Sequence, residues 1–547
     1  MRAWRAAVLL FTIFIAAVNL GAQSTQNVPD LILVGGKVFT AESAHPWAEA
    51  VAVRGERIIA VGTTREIRAL AGPASRVLDV GGRVIVPGFD DAHDHVSGGA
   101  PGIFVSMGAP VVDPSAAQVL DSLRAATARV PRGTWIQADI WLTALGDTAL
   151  RRAALDRVAP EHPVMLQMPT GHGVVLNTAA MRVLGIRDSE PDPFGGWYER
   201  DARGHLTGRL DEYAGWSAIR GLRSSLPDSA LVANLRRYGE RELRFGITSV
   251  QDMAHSMDAA TTVRVLRAAQ LPLRMRILKY SIPGATSLRA DEWAAIPEHP
   301  ASRLRVTGRK WILDGTPVEG NALMRRAYEG RAGWHGRLDF PIDTVRAMLA
   351  EALRTREQVV LHISGDSTAA LVLGLMESLA PDSVWRPLRV RFEHQGALTP
   401  DMWPRAAAKG IVNVGNLQLL PPPEISRTMP KVPLAAVVPQ GIVIGLGSDG
   451  EPRSPFVGMY YALSFPLEPQ LSREMLVRWY TAGSAYAEFA EGDKGTLAPG
   501  KLADLAVLSQ DIFTVPVDEL PKTESVLTMI GGRIEYDAGV LRVARRD

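Results

Sequence analysis

The chain has 547 residues, of which 46% are hydrophobic and 22% charged, with a formal net charge of +2 and no cysteine. That length and apolar content support more than one domain around a large buried core, and the near-neutral balance carries no electrostatic footprint for nucleic acid. Without cysteine there are no disulfide staples and no thiolate ligands, so a metal site must draw on His, Asp, Glu or a modified Lys.

The opening segment, MRAWRAAVLLFTIFIAAVNLGAQST, sets Arg2 and Arg5 ahead of an apolar run that ends in the small pair Gly21-Ala22. This is the layout of a secretory signal peptide over 1–22, cleaved near Ala22, and it predicts an exported protein, periplasmic or extracellular. The competing reading is a retained N-terminal anchor, although the run is short against the ~20 residues of a bilayer span. No later segment reaches that length, so no stable span is expected after cleavage.

From 29 to 86, short apolar runs alternate with tight turns: DLILVGGKVFTA, then AVAVRGERIIAVG around Arg54-Gly55-Glu56. The far end, 497–547, repeats the style in KLADLAVLS and SVLTMIGGRIEY, where Gly531-Gly532 sits between two runs as a hairpin turn. Two β-rich ends, each too small to close a core, predict one composite β-sandwich. Between them, 87–496 alternates strand-like and helical runs, as in VVLHISGD followed by STAALVLGLMESLA. That pattern predicts an α/β fold with parallel strands joined by helices, a (β/α)8 TIM-like barrel. A doubly wound open sheet is the alternative, but no Gly-rich phosphate loop supports it.

Polar groups gather at the ends of these apolar runs. In VIVPGFDDAHDHVSGG, 84–99, residues two apart on a strand share a face, so His93 and His95 aim together with Asp91 one step earlier. Two such imidazoles can hold a metal, but an isolated H-x-H also occurs as ordinary hydrogen-bonded histidine. Further along, Lys310 lies within RVTGRKWILDG, and VVLHISGD, VRFEHQG and IVIGLGSDG close with His362, His394 and Asp449. Taken singly, a strand-end histidine is an ordinary hydrogen-bonding residue and Lys310 a snorkelling or paired lysine. Taken together, they line the carboxyl ends of barrel strands, the face on which barrel active sites are built.

These motifs resemble the amidohydrolase superfamily, and more closely its amidohydrolase 3 group of deformylase-like metal-dependent hydrolases. The resemblance runs from GGKVFT through P-G-F-x-D-x-H-x-H at Pro87 to His95, GHGVVLNTAAM, GITSVQDM, KWILDG, LHISGD, RFEHQG and GLGSDG to GTLAPGKLADLAVL. It implies a barrel holding one or two divalent cations, zinc by default for a ligand set rich in histidine with manganese or iron as alternatives, and an insertion over about 96–235 after the first barrel strand. Carried over residue by residue, it implies His93, His95 and Asp449 at the more buried cation, His362 and His394 at the second, and Lys310 bridging them as a carbamate. Burial lowers the pKa of a lysine and so favours the neutral amine that takes up carbon dioxide. Asp449 is then the proton shuttle, moving a proton from an activated water to a leaving nitrogen.

Within the insertion, His172 in PTGHGVVLNTAAM is a candidate to bind a substrate carbonyl or carboxylate, or else fixes its own loop. Glu212 in GRLDEYA reads as structural. Trp135, Trp141 and Trp197 read as a pocket wall or as core. Asp91 is expected to support a strand end rather than to ligate, and His255 carries no motif role. The expected partner is a small molecule, with a homo-oligomer left open. The favoured activity is hydrolysis of a non-peptide amide-type C–N bond. Lactone or dipeptide hydrolysis, or a non-catalytic exported binding protein, are the alternatives.

Overall fold

The computed structural model describes residues 28–106, 113–283, 291–394, 397–417, 434–450, 452–464 and 471–543. The expected signal peptide over 1–22 lies outside these residues.

Eight strands make the central sheet: β1 (Phe89–Asp94), β2 (Ile247–Met253), β3 (Arg274–Tyr280), β4 (Leu304–Ile312), β5 (Val359–His362), β6 (Arg391–Glu393), β7 (Val412–Gly415) and β8 (Val443–Leu446). They neighbour one another in chain order, and every paired neighbour is parallel. Strands covered on both faces read as apolar runs, as VVLH in β5 does with all four residues buried. The two ends of the sheet meet beyond β8, where the Asp449 amide donates to the His93 carbonyl at 2.6 Å and the Ser448 amide donates to Asp91 Oδ1 at 2.9 Å. A Cβ on Gly447 would lie 2.3 Å from the His93 nitrogen, so only glycine lets the chain approach β1 this closely. The result is a TIM-like α/β barrel. Asp91 serves in this seam, where it also accepts from the His93 amide at 3.1 Å.

Both chain ends contribute to two further sheets. A six-stranded sheet runs Arg533–Asp537, Ser525–Ile530, Leu505–Leu508, Val84–Pro87, Lys37–Phe39, Trp47–Ala48. A five-stranded one sets Arg542–Val543 beside Arg76–Asp79. Leu33, Val53 and Ile85 share a buried cluster with Leu505, Leu527 and Met529. Gly531 and Gly532 turn the terminal hairpin with φ of 56° and 73°, the double left-handed geometry of a type I′ turn.

Between β1 and β2 the chain builds a third sheet, ordered Gly196–Arg200, Leu206–Glu212, Gly173–Leu176, Val164–Gln167, Ile136–Asp139, Ile103–Phe104. Helix Tyr213–Arg223 follows it, and helix Asp228–Arg244 returns the chain to β2 with Leu231 and Leu235 buried in the main core. Position 235 therefore falls inside the returning helix.

Candidate metal centre at the barrel mouth

His93, the fifth residue of β1, is fully buried, and His95 follows one residue past the strand end. Their Nε2 atoms lie 3.3 and 3.1 Å from one oxygen of Asp449, Oδ1. One ligand atom from each of the three residues fits within 4.8 Å of the others. His394, one residue past β6, has its Nδ1 3.7 Å from Asp449 Oδ2, and His362 at the end of β5 packs on His394 with ring centroids 4.3 Å apart. Lys310, buried in β4, has a Nζ with no hydrogen-bond partner. The barrel thus gathers all six residues singled out along the chain into one polar pocket.

Buried polar atoms left unpaired are costly, and those at this pocket include Lys310 Nζ and His93 Nε2, the latter near Asp449 without the alignment of a hydrogen bond. Two imidazoles and a carboxylate, with the unpaired Lys310 amine beside them, form a donor set that fits a divalent cation such as zinc. The electrostatics agree for His95, His394 and Asp449 and oppose for His93, where burial lowers the pKa but the Asp449 and Glu393 carboxylates outweigh it and push it up, toward a proton that a bound cation would displace. Burial holds His95 below its ordinary pKa and His394 down at about 3, which keeps both imidazoles in the neutral form that ligates. Burial alone would push Asp449 up, but His93 and His95 outweigh it and hold the carboxyl well below its usual range, as an anion. Burial also pulls Lys310 down to about 8, leaving an appreciable neutral fraction near neutral pH.

The backbone is bent to present these groups. His394 and Asp449 adopt φ of 69° and 59°, in the left-handed region that non-glycine residues seldom occupy. Supporting side chains fix the rings. Glu393 Oε2 sits 2.5 Å from His93 Nδ1, and Arg391 donates to both oxygens of Glu393 at 2.8 and 2.9 Å. Despite its burial, Glu393 therefore stays ionised, directing the other ring nitrogen of His93 toward Asp449. Asn416 Oδ1 accepts from His394 Nδ1 at 2.8 Å. Asp314, two residues beyond β4, accepts the Ser364 and Gly365 amides and the Thr368 hydroxyl at 3.0, 2.8 and 2.7 Å, anchoring the loop that follows His362.

The insertion reaches this pocket. His172 packs 4.5 Å from His362, ring to ring, and Glu212 Oε2 lies 2.6 Å from its Nδ1. Burial opposes charge on His172, yet Glu212 and then Glu319 outweigh it and push the pKa up to about 9. Trp216 stacks on His95, 6.0 Å between centroids at 22°. The three tryptophans singled out from sequence lie elsewhere: Trp135 is in the core, Trp197 lies under the Arg337 guanidinium and Trp141 precedes helix Leu142–Gly146.

Several contacts were missed by motif alone. His255 lies 2.8 Å from His95, Nδ1 to Nδ1, and touches Trp216, so it belongs beside the site. Glu393 carried a legible signal, since it precedes His394 at the end of an apolar run and alternates with Arg391. Trp216 and Glu319 carried none, because they arrive from separate segments.

Comparison with known proteins adds to this geometry. The profile described as the amidohydrolase family matches residues 76–536. N-substituted formamide deformylase of Arthrobacter pascens is 26% identical, covering 93% of this chain and 98% of its own. An uncharacterized metal-dependent hydrolase from Pyrococcus horikoshii superposes with a TM-score of 0.67 at 18% identity, covering 89% of this chain and 99% of its own. Atrazine chlorohydrolase from Arthrobacter aurescens, solved with zinc, gives 0.52 at 15% identity over 93% of this chain and 95% of its own.

Proposed function

This chain belongs to the amidohydrolase family, and from that premise we propose that it is a zinc-type hydrolase of non-peptide amide C–N bonds, with N-substituted formamides, N-acyl amines and cyclic amides as the substrate classes. The observation that carries the reading is Asp449 Oδ1 set against both His93 Nε2 and His95 Nε2 beside the unpaired Lys310 amine. The printed activity of the Arthrobacter pascens relative supports a formamide as the first substrate to try.

His93, His95 and Asp449 would hold one divalent cation, and His362 and His394 a second. Such a cation supplies Lewis acidity, acidifying a water and polarising a carbonyl. Asp449 takes the proton of the attacking water and returns it to the leaving nitrogen, a role suited to a carboxylate kept ionised in a buried site. Glu393 keeps His93 in one tautomer throughout. The neutral amine of Lys310 would add to carbon dioxide, forming an N–C bond and losing a proton, and the resulting carbamate would be a further oxygen ligand beside these residues. At the other end of the chain, the Arg2, Arg5 and Gly21-Ala22 pattern supports export with cleavage near Ala22; mass spectrometry finding an intact Met1 on soluble cytoplasmic protein from the native host would refute it.

The test is a metal count by plasma mass spectrometry with a screen of formamides, acyl amines and cyclic amides against lactones and dipeptides. One or two equivalents of metal and turnover confined to C–N substrates are expected. Lys310→Ala should lose metal and activity together, with partial recovery on adding a short carboxylic acid and excess metal, and Lys310→Arg should not recover. Lactone or dipeptide turnover would redirect the reading to another bond. A metal-free wild type with no turnover would leave a binding protein.

A further inference from the structure

Resting on the metal-hydrolase reading, we propose that Gln251 is a positioning residue of the metal centre. A buried chain of polar side chains runs from His93 through Gln251 to Asp90 and Lys494 near the opposite end of the barrel, and it sets how tightly the cation is held. The chain starts at the Glu393 carboxylate, 2.5 Å from His93 Nδ1 and gripped at both oxygens by Arg391. Arg391 reaches on, donating through Nη1 to Gln251 Oε1 at 2.5 Å and through Nη2 to the Ala92 carbonyl at 2.6 Å. Gln251 donates from Nε2 to Asp90 Oδ1 at 3.3 Å and to the Ser484 carbonyl at 3.0 Å. Behind Asp90, the Lys494 ammonium lies 3.0 Å from its Oδ2 and pairs with Glu488. Every one of these side chains is buried.

β2 and β6 stand four places apart in the sheet, so the bond between Gln251 and Arg391 crosses the barrel lumen, a space that bulky branched side chains usually fill. Asp90 is the second residue of β1 and His93 the fifth, so the chain climbs from the barrel floor toward its mouth. The orientation of the Gln251 amide does not depend on any proton gained or lost. A guanidinium only donates and the Ser484 carbonyl only accepts, which leaves Oε1 for Arg391 and Nε2 for Ser484. Apolar side chains of similar volume often replace a buried charged network with no loss of stability, so packing alone gives no account of this one. What apolar filling cannot do is hold the Arg391 fork square to Glu393. Fixed at Gln251 on one side and at Glu393 on the other, the guanidinium cannot swing off the carboxylate, and the carboxylate in turn fixes the His93 ring whose other nitrogen faces the cation. Lys494 anchors the far end, since without it Asp90 would be a buried carboxylate stripped of its ion-pair partner and a poor fixed point for Gln251.

The experiment measures affinity for cobalt(II) by chelator competition, the visible absorption of the bound cobalt, and the melting temperature of the metal-free protein. It compares wild type, Gln251→Met, Lys494→Met, Glu393→Gln and the double variant Gln251→Met with Glu393→Gln. Methionine keeps the length of Gln251 and most of that of Lys494 while removing their hydrogen bonds. Gln251→Met should bind cobalt about 10- to 100-fold more weakly, as expected for a residue that orients a metal ligand through its partner, and should shift the absorption. Lys494→Met should weaken binding by a smaller factor. Because Gln251 acts through Glu393, the two losses should not multiply, and the double variant should bind within about twofold of Glu393→Gln alone. Unchanged affinity and absorption in Gln251→Met overturn the proposal whatever the melting temperature does. Losses that multiply in the double variant overturn it as well, since they mark an independent packing defect. Unchanged affinity in Lys494→Met overturns the reach of the chain beyond Gln251. If Gln251→Met does not fold, Lys494→Met is combined with Glu393→Gln and decides by the same rule. A wild type that binds no cobalt defeats the metal reading and the proposal with it, whereas cobalt binding that Gln251→Met leaves unmoved defeats the proposal alone.

Discussion

The sheets built from the two chain ends and the mouth of the barrel solve the same backbone problem in opposite ways. In the sheets, the left-handed positions fall to glycine at Gly55, Gly81, Gly82, Gly531 and Gly532, with Ala41 the exception. At the mouth, Gly171 and Gly450 are joined there by Glu212, His394 and Asp449, whose side chains face the pocket or hold a group that does. Glycine relieves strain but brings no chemistry. The sheets share an apolar cluster and leave Arg83 Nε, just before Val84–Pro87, unpaired, whereas the barrel interior leaves two prospective ligand nitrogens, Lys310 Nζ and His93 Nε2, unpaired. One region is arranged for stability, and the other retains strain and unpaired polar atoms that a bound cation and substrate would relieve.

Five measurements sharpen or break this contrast. Deleting 497–547 should have the largest effect. It removes Leu505–Leu508 and Ser525–Ile530, strips Val84–Pro87 of a neighbour and takes away the Thr528 hydroxyl that donates to the Leu243 carbonyl at the barrel flank. The expected outcome is insoluble protein, read by sedimentation and size exclusion, because a broad apolar face is uncovered; a soluble and fully active truncation would show that the two ends do not depend on each other. Asp449→Asn comes next. Turnover should fall by about 10²- to 10⁴-fold, while at least one equivalent of metal stays bound, since an amide oxygen ligates weakly but carries no proton.

Glu393→Gln should be milder, weakening metal affinity by about 10- to 100-fold in a chelator competition as His93 loses its ionised partner. An unchanged affinity would mean that Arg391 and Glu393 serve only to fill the barrel. The smallest effect tests strain directly. In metal-free protein, Asp449→Gly should be more stable than Asp449→Ala by about 1 kcal/mol in urea unfolding, the reverse of the order in an ordinary strand. Gly532→Ala in the sheets should instead destabilise by more than about 1 kcal/mol, since its Cβ would lie 1.9 Å from the Gly55 carbonyl oxygen, and leave kcat untouched. If Asp449→Gly were no more stable than Asp449→Ala, the strain assigned to the mouth would be absent.

The barrel was legible because its strands are short apolar runs that close on polar residues, and a strand buried on both faces must read that way. His93 and His95 were legible as a pair because the two-residue period of a strand sets them on one side. The hairpin at Gly531-Gly532 announced itself through turn chemistry alone. Each of these signals lies within a few residues of chain.

What escaped the sequence depends on contacts across long separations. His255 looked idle beyond GITSVQDM, yet β2 lies beside β1 in the barrel, which brings its ring to His95 across 160 positions of chain. Trp216, rather than Trp135, Trp141 or Trp197, lies against His95 because helix Tyr213–Arg223 carries it there. The amino-acid sequence by itself determined which side chains stand at strand ends and what chemistry they carry, through local periodicity and residue type. Only the tertiary structure decided that β8 closes against β1 at Gly447, that one Asp449 oxygen serves two histidines and that Glu212 holds His172 beside His362, because through-space approach is set by the closure of the sheet and not by spacing along the chain.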